Sequence, residues 1–344
     1  MTQSTKGKVN VGITGVGLHL PERILTNRDL EKMVDTDDQW IVERTGIKER
    51  HLVEKGTPAS DLGAPAAKQA LEMAGVDPLE VGCIIVATVT PDMIFPSTAC
   101  ILQEKIGAKN AWAFDLLGAC SGYLYSLALA ESLVRSGAHD TVLVVGAEIM
   151  STITNWQDRN TCILFGDAGA ATVIQRLPED TEGILAWENG ADGSGAEYLY
   201  MKGGGSLHPA SHETVEAGMH YLWQDGKAVF KVAVEGITRI SQRVLDKAGL
   251  TGEELDLFIP HQANLRIMDF ARRKLHLPPE RMMVTIDRLG NTTSATIPGA
   301  LRMAHDEKKI KSGDTLLFAT FGAGYTWGAA ALRWTPGGGV SARA

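Results

Sequence analysis

Asp140-Thr-Val-Leu-Val-Val-Gly146 returns later in the chain as Asp314-Thr-Leu-Leu-Phe-Ala-Thr320, 174 positions on. Each is an apolar run of strand length. Ala74-Gly-Val-Asp-Pro-Leu-Glu-Val81 pairs at the same spacing with Ala248-Gly-Leu-Thr-Gly-Glu-Glu-Leu255. A helical pattern precedes both segments and an apolar strand follows both. Between these matches, Phe114-Asp-Leu-Leu-Gly118 resembles Ile286-Asp-Arg-Leu-Gly290. Three ordered matches predict a duplication of α/β halves, residues 1–178 and 179–344, about a pseudo-twofold axis. Each half is expected to be a mostly parallel sheet covered by helices.

Local signals fill in the halves. Val9 to Leu20 reads as a strand closed by Pro21, and Asn27 as the cap of a helix through Asp29-Leu30-Met33. Ala59–Ala74 reads as a helix with Gly75 as its C-cap. Gly82–Val89 and Leu255–Pro260 read as strands. Gly118-Ala119 is a small-residue turn that delivers Cys120 to the start of a helix, marked by Leu124, Leu127, Ala128 and Leu133. A helix N-terminus favours thiolate over thiol, so Cys120 is the candidate nucleophile. The bland alternative is a buried structural cysteine, the commonest fate of a free Cys.

Composition excludes several classes. The net charge of -8 disfavours nucleic acid or an anionic membrane as the partner of the whole surface. No apolar run reaches the ~18 residues of a membrane span. The polar segment Met1–Lys8 lacks the apolar core of a signal peptide. The four cysteines, Cys83, Cys100, Cys120 and Cys162, form no C-x-x-C pair, so no metal site is expected. The reading is a cytoplasmic protein.

Ligands of α/β proteins sit beyond strand C-termini. The repeat sets Asn291, after Leu289-Gly290, at the corner matching Cys120, and His261 ends the strand Leu255–Pro260. Cysteine, imidazole and carboxamide form an acyl-transfer set. Cys120 would attack a thioester, and backbone N–H groups of Cys120 and of the Gly322-Ala-Gly324 turn would meet the oxyanion. His261 and Asn291 would donate to a second carbonyl and stabilise an enolate. Trp40 with Arg44 suits a flat anionic ligand.

Gly118-Ala-Cys-Ser-Gly122, Ile259-Pro-His-Gln-Ala-Asn264, Gly290-Asn-Thr292 and Phe321-Gly-Ala-Gly-Tyr-Thr-Trp-Gly328 closely resemble β-ketoacyl-acyl carrier protein synthase III, a thiolase-fold condensing enzyme. The resemblance runs from about Val9 to Trp334 and includes Trp40-Ile-Val-Glu-Arg-Thr-Gly-Ile-Lys-Glu-Arg50. It implies a five-layer αβαβα thiolase fold, a homodimer and a Cys120–His261–Asn291 triad. An acyl-CoA primer would acylate Cys120, and malonyl-acyl carrier protein would then decarboxylate and condense with it. Coenzyme A thioester enters as substrate, with no separate cofactor. The resemblance further implies that Trp40 and Arg159 sandwich the adenine, with Arg44 nearby, and that Asn264 lies by the pantetheine. Phe165 would line the acyl pocket, which Phe95 would enter from the partner subunit. Lys231, Arg266, Arg272, Arg273 and Lys274 match a carrier-protein docking patch, and Ala323 stands at the oxyanion turn where some relatives have Gly. The rival readings are a thiolase-fold acyltransferase or starter enzyme of polyketide or quinolone synthesis, and a non-catalytic carrier-protein-binding module. A cysteine hydrolase is a further alternative. Hydroxymethylglutaryl-CoA synthase would need an extra carboxylate base that the sequence does not assign.

Overall fold

The computed structural model describes residues 9–340; the segment 1–8 read above lies outside them. Two sheets form the frame. The first is ordered Val11–His19, Ala168–Arg176, Thr141–Glu148, Cys83–Ala87, Trp112–Leu116. The second is ordered Leu257–Pro260, Thr315–Gly322, Thr326–Arg333, Ile184–Ala191. Helices Ala59–Ala74 and Thr98–Ile106 cover the outer face of the first sheet. Gly226–Ala248 covers the second sheet, with Leu265–Lys274 packed against it. Gly122–Arg135 and Thr296–Asp306 lie between the sheets, giving the five-layer αβαβα thiolase fold. Tyr123, Leu124 and Leu127 bury there with Ile297, Leu301 and Phe318, removing apolar surface of both halves from water in one shared core.

The duplication holds with a constant spacing. Cys83 and Leu257 open strands, Thr141 and Thr315 open strands, and Gly122 and Thr296 open the central helices, each pair 174 positions apart. Both sheets are mixed rather than mostly parallel. Cys83–Ala87 runs parallel to its two neighbours and Leu257–Pro260 parallel to Thr315–Gly322, while the remaining pairs are antiparallel. The antiparallel strand Ala168–Arg176 returns from Glu148 through a loop, not through the helical crossover that parallel pairing needs.

Two local expectations shift. Thr26, not Asn27, is the N-cap of the first helix: its hydroxyl accepts from the Asp29 N–H, and the helix ends at Leu30. Asn27 is instead buried, donating to the Ile47 carbonyl at 2.7 Å. The segment Ile286–Leu289 is a helix where its counterpart Trp112–Leu116 is a strand. The Phe258–Met282 bridge is the pairing found beside Leu257–Pro260 on that side. This difference displaces Asn291: at the 174 spacing the counterpart of Cys120 is Ser294, and that of the turn Ala119–Ser121 is Thr293–Ala295.

Candidate active site

Both turns enter their helices through a left-handed residue that is not glycine, Ala119 at φ 45° and Thr293 at φ 51°. Such backbone is strained and persists where the surroundings over-determine it. The turns pack on each other at the pseudo-axis, so the two central helices meet near their N-termini. Gly322 closes the site on its other side. A Cβ there would lie 2.7 Å from the Cys120 Cβ, so only glycine allows this approach. The Thr320 hydroxyl donates to the Cys120 carbonyl at 3.0 Å and fixes the turn from the second sheet.

Cys120, His261 and Asn291 are all buried and line one cleft of about 1040 Å³. The cleft also carries half-buried Trp40 and exposed Arg44, so it runs from solvent to the sulfur. The amide N–H groups of Cys120 and Ala323 both point at that sulfur. They favour its anion, yet burial dominates and the charge of Glu148 adds to it, so the thiol is pushed up to about 12. The helix start therefore does not make a standing thiolate, contrary to the sequence expectation. The α-helix proper begins two residues later, at Gly122.

The other two polar side chains are held from behind. Asn291 Oδ1 accepts from the Thr293 N–H at 2.9 Å, which turns its NH₂ group away from that anchor. His261 Nδ1 lies 2.6 Å from the Thr296 hydroxyl, and Nε2 is buried without a partner. Burial pushes the imidazole down to about 3, so the ring is neutral. Phe165 lines the cleft and forms a bridge with Asn291.

The remaining candidates divide. The guanidinium carbons of Arg44 and Arg159 stand 4.5 Å and 5.2 Å from the centroid of Trp40, and Arg159 also donates to the Asp35 carbonyl at 2.8 Å. Asn264 caps the helix Leu265–Lys274 by accepting from the Arg266 N–H, and donates to the Arg44 carbonyl at 2.9 Å. Its amide thus ties the two walls of the cleft together. Arg272 turns inward, bonded to Asp269 and the Leu277 carbonyl, and is removed from the outer cationic face. Lys231, Arg266, Arg273 and Lys274 remain exposed. Phe95 is 83% exposed and is not part of the cleft.

Sequence reasoning missed Thr293, Thr296 and the buried Glu148. Glu148 accepts from Thr90 and Ser294 hydroxyls at 2.9 Å and from the Val89 N–H at 3.0 Å. A charged residue ending an otherwise apolar strand was the available signal. Among the described residues, no group of three or more His, Cys, Asp or Glu could hold a metal ion.

The fold and this cleft, with its buried cysteine, define a thiolase-fold condensing enzyme. Residues 114–193 match the family described as 3-oxoacyl-[acyl-carrier-protein (ACP)] synthase III, and residues 245–334 match its C-terminal domain. A β-ketoacyl-[acyl-carrier-protein] synthase III of Caldanaerobacter subterraneus subsp. tengcongensis is 51% identical over 328 residues, covering 95% of this chain and 99% of that protein. The crystal structure of 3-oxoacyl-[acyl-carrier-protein] synthase III from Aquifex aeolicus VF5 superposes with a TM-score of 0.87 at 44% identity, covering 94% of this chain and all of that one. The priming β-ketosynthase of the R1128 polyketide pathway superposes at 0.89 with 33% identity, covering 98% and 99%. The chain belongs to the β-ketoacyl-acyl carrier protein synthase III family and is an acyltransferase.

Proposed function

We propose that the chain performs the initiating condensation of type II fatty acid synthesis through Cys120, His261 and Asn291. The observation that carries this is one cleft holding a buried thiol under two backbone N–H groups, beside an imidazole and an oriented carboxamide. The Cys120 sulfur attacks the thioester carbonyl of an acyl-CoA primer. The N–H groups of Cys120 and Ala323 meet the oxyanion, each contributing ~3 kcal/mol by analogy with oxyanion-hole deletions. The carbon–sulfur bond to coenzyme A breaks, and the thiol proton of Cys120 ends on that leaving sulfur.

Malonyl-acyl carrier protein then enters. Its carboxylate leaves as carbon dioxide, and the electron pair becomes an enolate whose oxygen takes hydrogen bonds from Asn291 Nδ2 and His261 Nε2. The enolate carbon attacks the acyl carbonyl, the carbon–sulfur bond to Cys120 breaks, and the expelled thiolate takes a proton from solvent to restore the thiol. Two donors replace a strong base, which suits a site whose histidine stays neutral. Trp40, Arg44 and Arg159 would hold the nucleotide end of coenzyme A, and the Asn264 tie would keep the pantetheine walls in place. Phe165 would bound the acyl chain. Lys231, Arg266, Arg273 and Lys274 suit the acidic surface of a carrier protein. No cofactor beyond the thioester substrates is needed by this scheme, and cytoplasmic action fits a chain whose described helices include none long and apolar enough to cross a membrane.

The homodimer rests on a surface. Trp112–Leu116 is the edge strand of the first sheet, and Thr98 and Ala99 donate to its Asp115. That places the segment carrying exposed Ile94 and Phe95 beside the edge, with Leu117 exposed at its end. An uncovered strand edge with large apolar side chains is suited to a second copy.

Separating the half-reactions tests the assignment. Asn291→Ala is expected to keep acyl transfer from acyl-CoA to Cys120 within about threefold and to lower malonyl decarboxylation by about 10² or more. Equal loss in both would make Asn291 a structural residue only.

A further inference from the structure

Arg50, on the strand Glu49–Leu52, is fully buried behind the cleft wall that Ile163, Leu164 and Phe165 form. Its Nη2 donates to the Ile163 carbonyl at 2.6 Å. Its Nη1 donates to the Leu25 carbonyl at 3.2 Å and to Asn27 Oδ1 at 2.9 Å. None of these acceptors is a carboxylate. Burial pushes the guanidinium down to about 10, so it stays charged at neutral pH. A cation held away from water by neutral oxygens is costly to a fold. Its hydrogen bonds run in two directions. On one side, Ile163 leads into the segment that pairs with the site. The Asn291 N–H donates to the Leu164 carbonyl at 2.8 Å, and the Gly166 N–H donates to the Asn291 carbonyl at 3.1 Å. On the other side, Asn27 Nδ2 donates to Asp38 Oδ1 at 2.9 Å. Asp38 opens the helix Asp38–Thr45, which carries Trp40 and Arg44. The Asn27 carboxamide has one possible orientation: a guanidinium only donates, and the Ile47 carbonyl, which also receives from Nδ2, only accepts.

We propose that Arg50 is a positioning residue that, through Asn27 and Asp38, holds the helix of Trp40 and Arg44 at a fixed separation from the segment paired with Asn291. The Asn264 amide ties the last turn of that helix through the Arg44 carbonyl, and the Asp38 link holds its first turn. The consequence is mechanical. A thioester gripped at its nucleotide end reaches the thiol through an arm of limited reach. The grip delivers the reacting carbonyl to the oxyanion N–H groups only while the distance from Trp40 to the site stays constant. Binding energy gained at the remote end then goes into placing the reacting carbon. Loss of the Asp38 link leaves Trp40 and Arg44 in being but lets them drift against the site.

The proposal rests on the coenzyme A reading above, and its test separates the two. Asp38 is exposed, so Asp38→Ala breaks the link without opening the core. Acylation of Cys120 is compared for acetyl-CoA and for acetyl-pantetheine, which lacks the nucleotide. Asp38→Ala is expected to lower kcat/KM for acetyl-CoA by about tenfold, the size of one hydrogen bond to a charged group, with acetyl-pantetheine within about twofold. Asp38→Asn keeps an acceptor oxygen and is expected to stay within about threefold of wild type on both. Asp38→Ala combined with Trp40→Ala is expected to lose no more than Trp40→Ala alone, since no grip is left to hold. Backbone hydrogen exchange reads the link with no substrate present. Asp38→Ala is expected to speed exchange in Asp38–Thr45 only. Arg50→Lys keeps the charge but cannot reach Ile163 and Asn27 together, and is expected to speed exchange in that helix and at the Gly166 and Asn291 amides. Equal loss with both thioesters in Asp38→Ala, or loss with neither, would overturn the proposal. So would an Arg50→Lys chain that exchanges like wild type at either end. The Asp38 variants decide if Arg50→Lys does not fold. The expected exchange pattern in a chain that forms no acyl-enzyme from either thioester would keep the Arg50 assignment and remove the proposed function instead.

Discussion

Cys120 shows how a nucleophile can be oriented without being ionised. Two N–H groups aim at its sulfur, but removal from water outweighs them and the thiol is pushed up to about 12. The thiolate fraction of the empty enzyme should therefore grow with pH well beyond neutrality. Labelling of Cys120 by iodoacetamide is expected to rise about tenfold per pH unit between 7 and 9. A plateau below pH 8 would mean that the thiol ionises far more easily than its burial allows. Cys120 itself was legible in the sequence because small residues and a following helical pattern isolate it. Its ionisation was not, because the packing that desolvates it, Gly322 included, and the charge of Glu148 that adds to it come from chain segments far away. The contact of Thr296 with His261 was illegible for the same reason: the two residues lie 35 positions apart.

At the central turns, the 174-residue spacing accounts for why there is one catalytic corner and not two. The counterparts of Cys120, His261 and Asn291 at that spacing are Ser294, Ala87 and Leu117. The counterpart of Gly322 is Glu148, which fills the second corner and accepts from Ser294. Burial pushes the Glu148 carboxyl up to about 7 from 4.5, against hydrogen bonds that favour its anion. The folded chain thus keeps a proton that the unfolded chain gives up above about pH 4.5. The stability from this group is complete below that pH and is lost as pH rises through about 7. His261, pushed down, acts in the opposite sense, losing stability as pH falls from its ordinary 6.5 towards 3. Comparing Glu148→Gln with wild type at the same pH cancels that second effect. The midpoint of thermal unfolding of wild type is expected to fall by a few degrees relative to Glu148→Gln between pH 5 and pH 8. A constant difference would show that Glu148 is already ionised in the folded chain at pH 5. In the sequence, small residues marked the first turn, and the repeat gave only a matching corner near Asn291 in the second half. It misassigned Asn291 to the Cys120 corner because a strand in one half became a helix in the other, and flanking residues do not record that change.

The two halves need each other, since the thiol comes from one and the imidazole and carboxamide from the other, across a shared helical layer. The apolar edge around Ile94, Phe95 and Leu117 extends the same logic to a second copy. Sedimentation is expected to give a dimer for the wild-type chain and a shift towards monomer for Phe95→Asp with Leu117→Asp. A wild-type monomer at micromolar concentration would remove the dimer proposal. The layered fold could be read in advance because duplication and apolar periodicity are properties of the chain itself. Oligomeric state was open to the family resemblance only, since a strand edge looks the same in sequence whether or not it is covered.

Mass spectrometry of the intact chain and its peptides after incubation with acetyl-CoA alone tests the covalent step most directly. The account predicts one acetyl group per chain, on the peptide containing Cys120, discharged when malonyl-acyl carrier protein is added with appearance of the β-ketoacyl product. No adduct on Cys120, or an adduct confined to exposed Cys100, would contradict it.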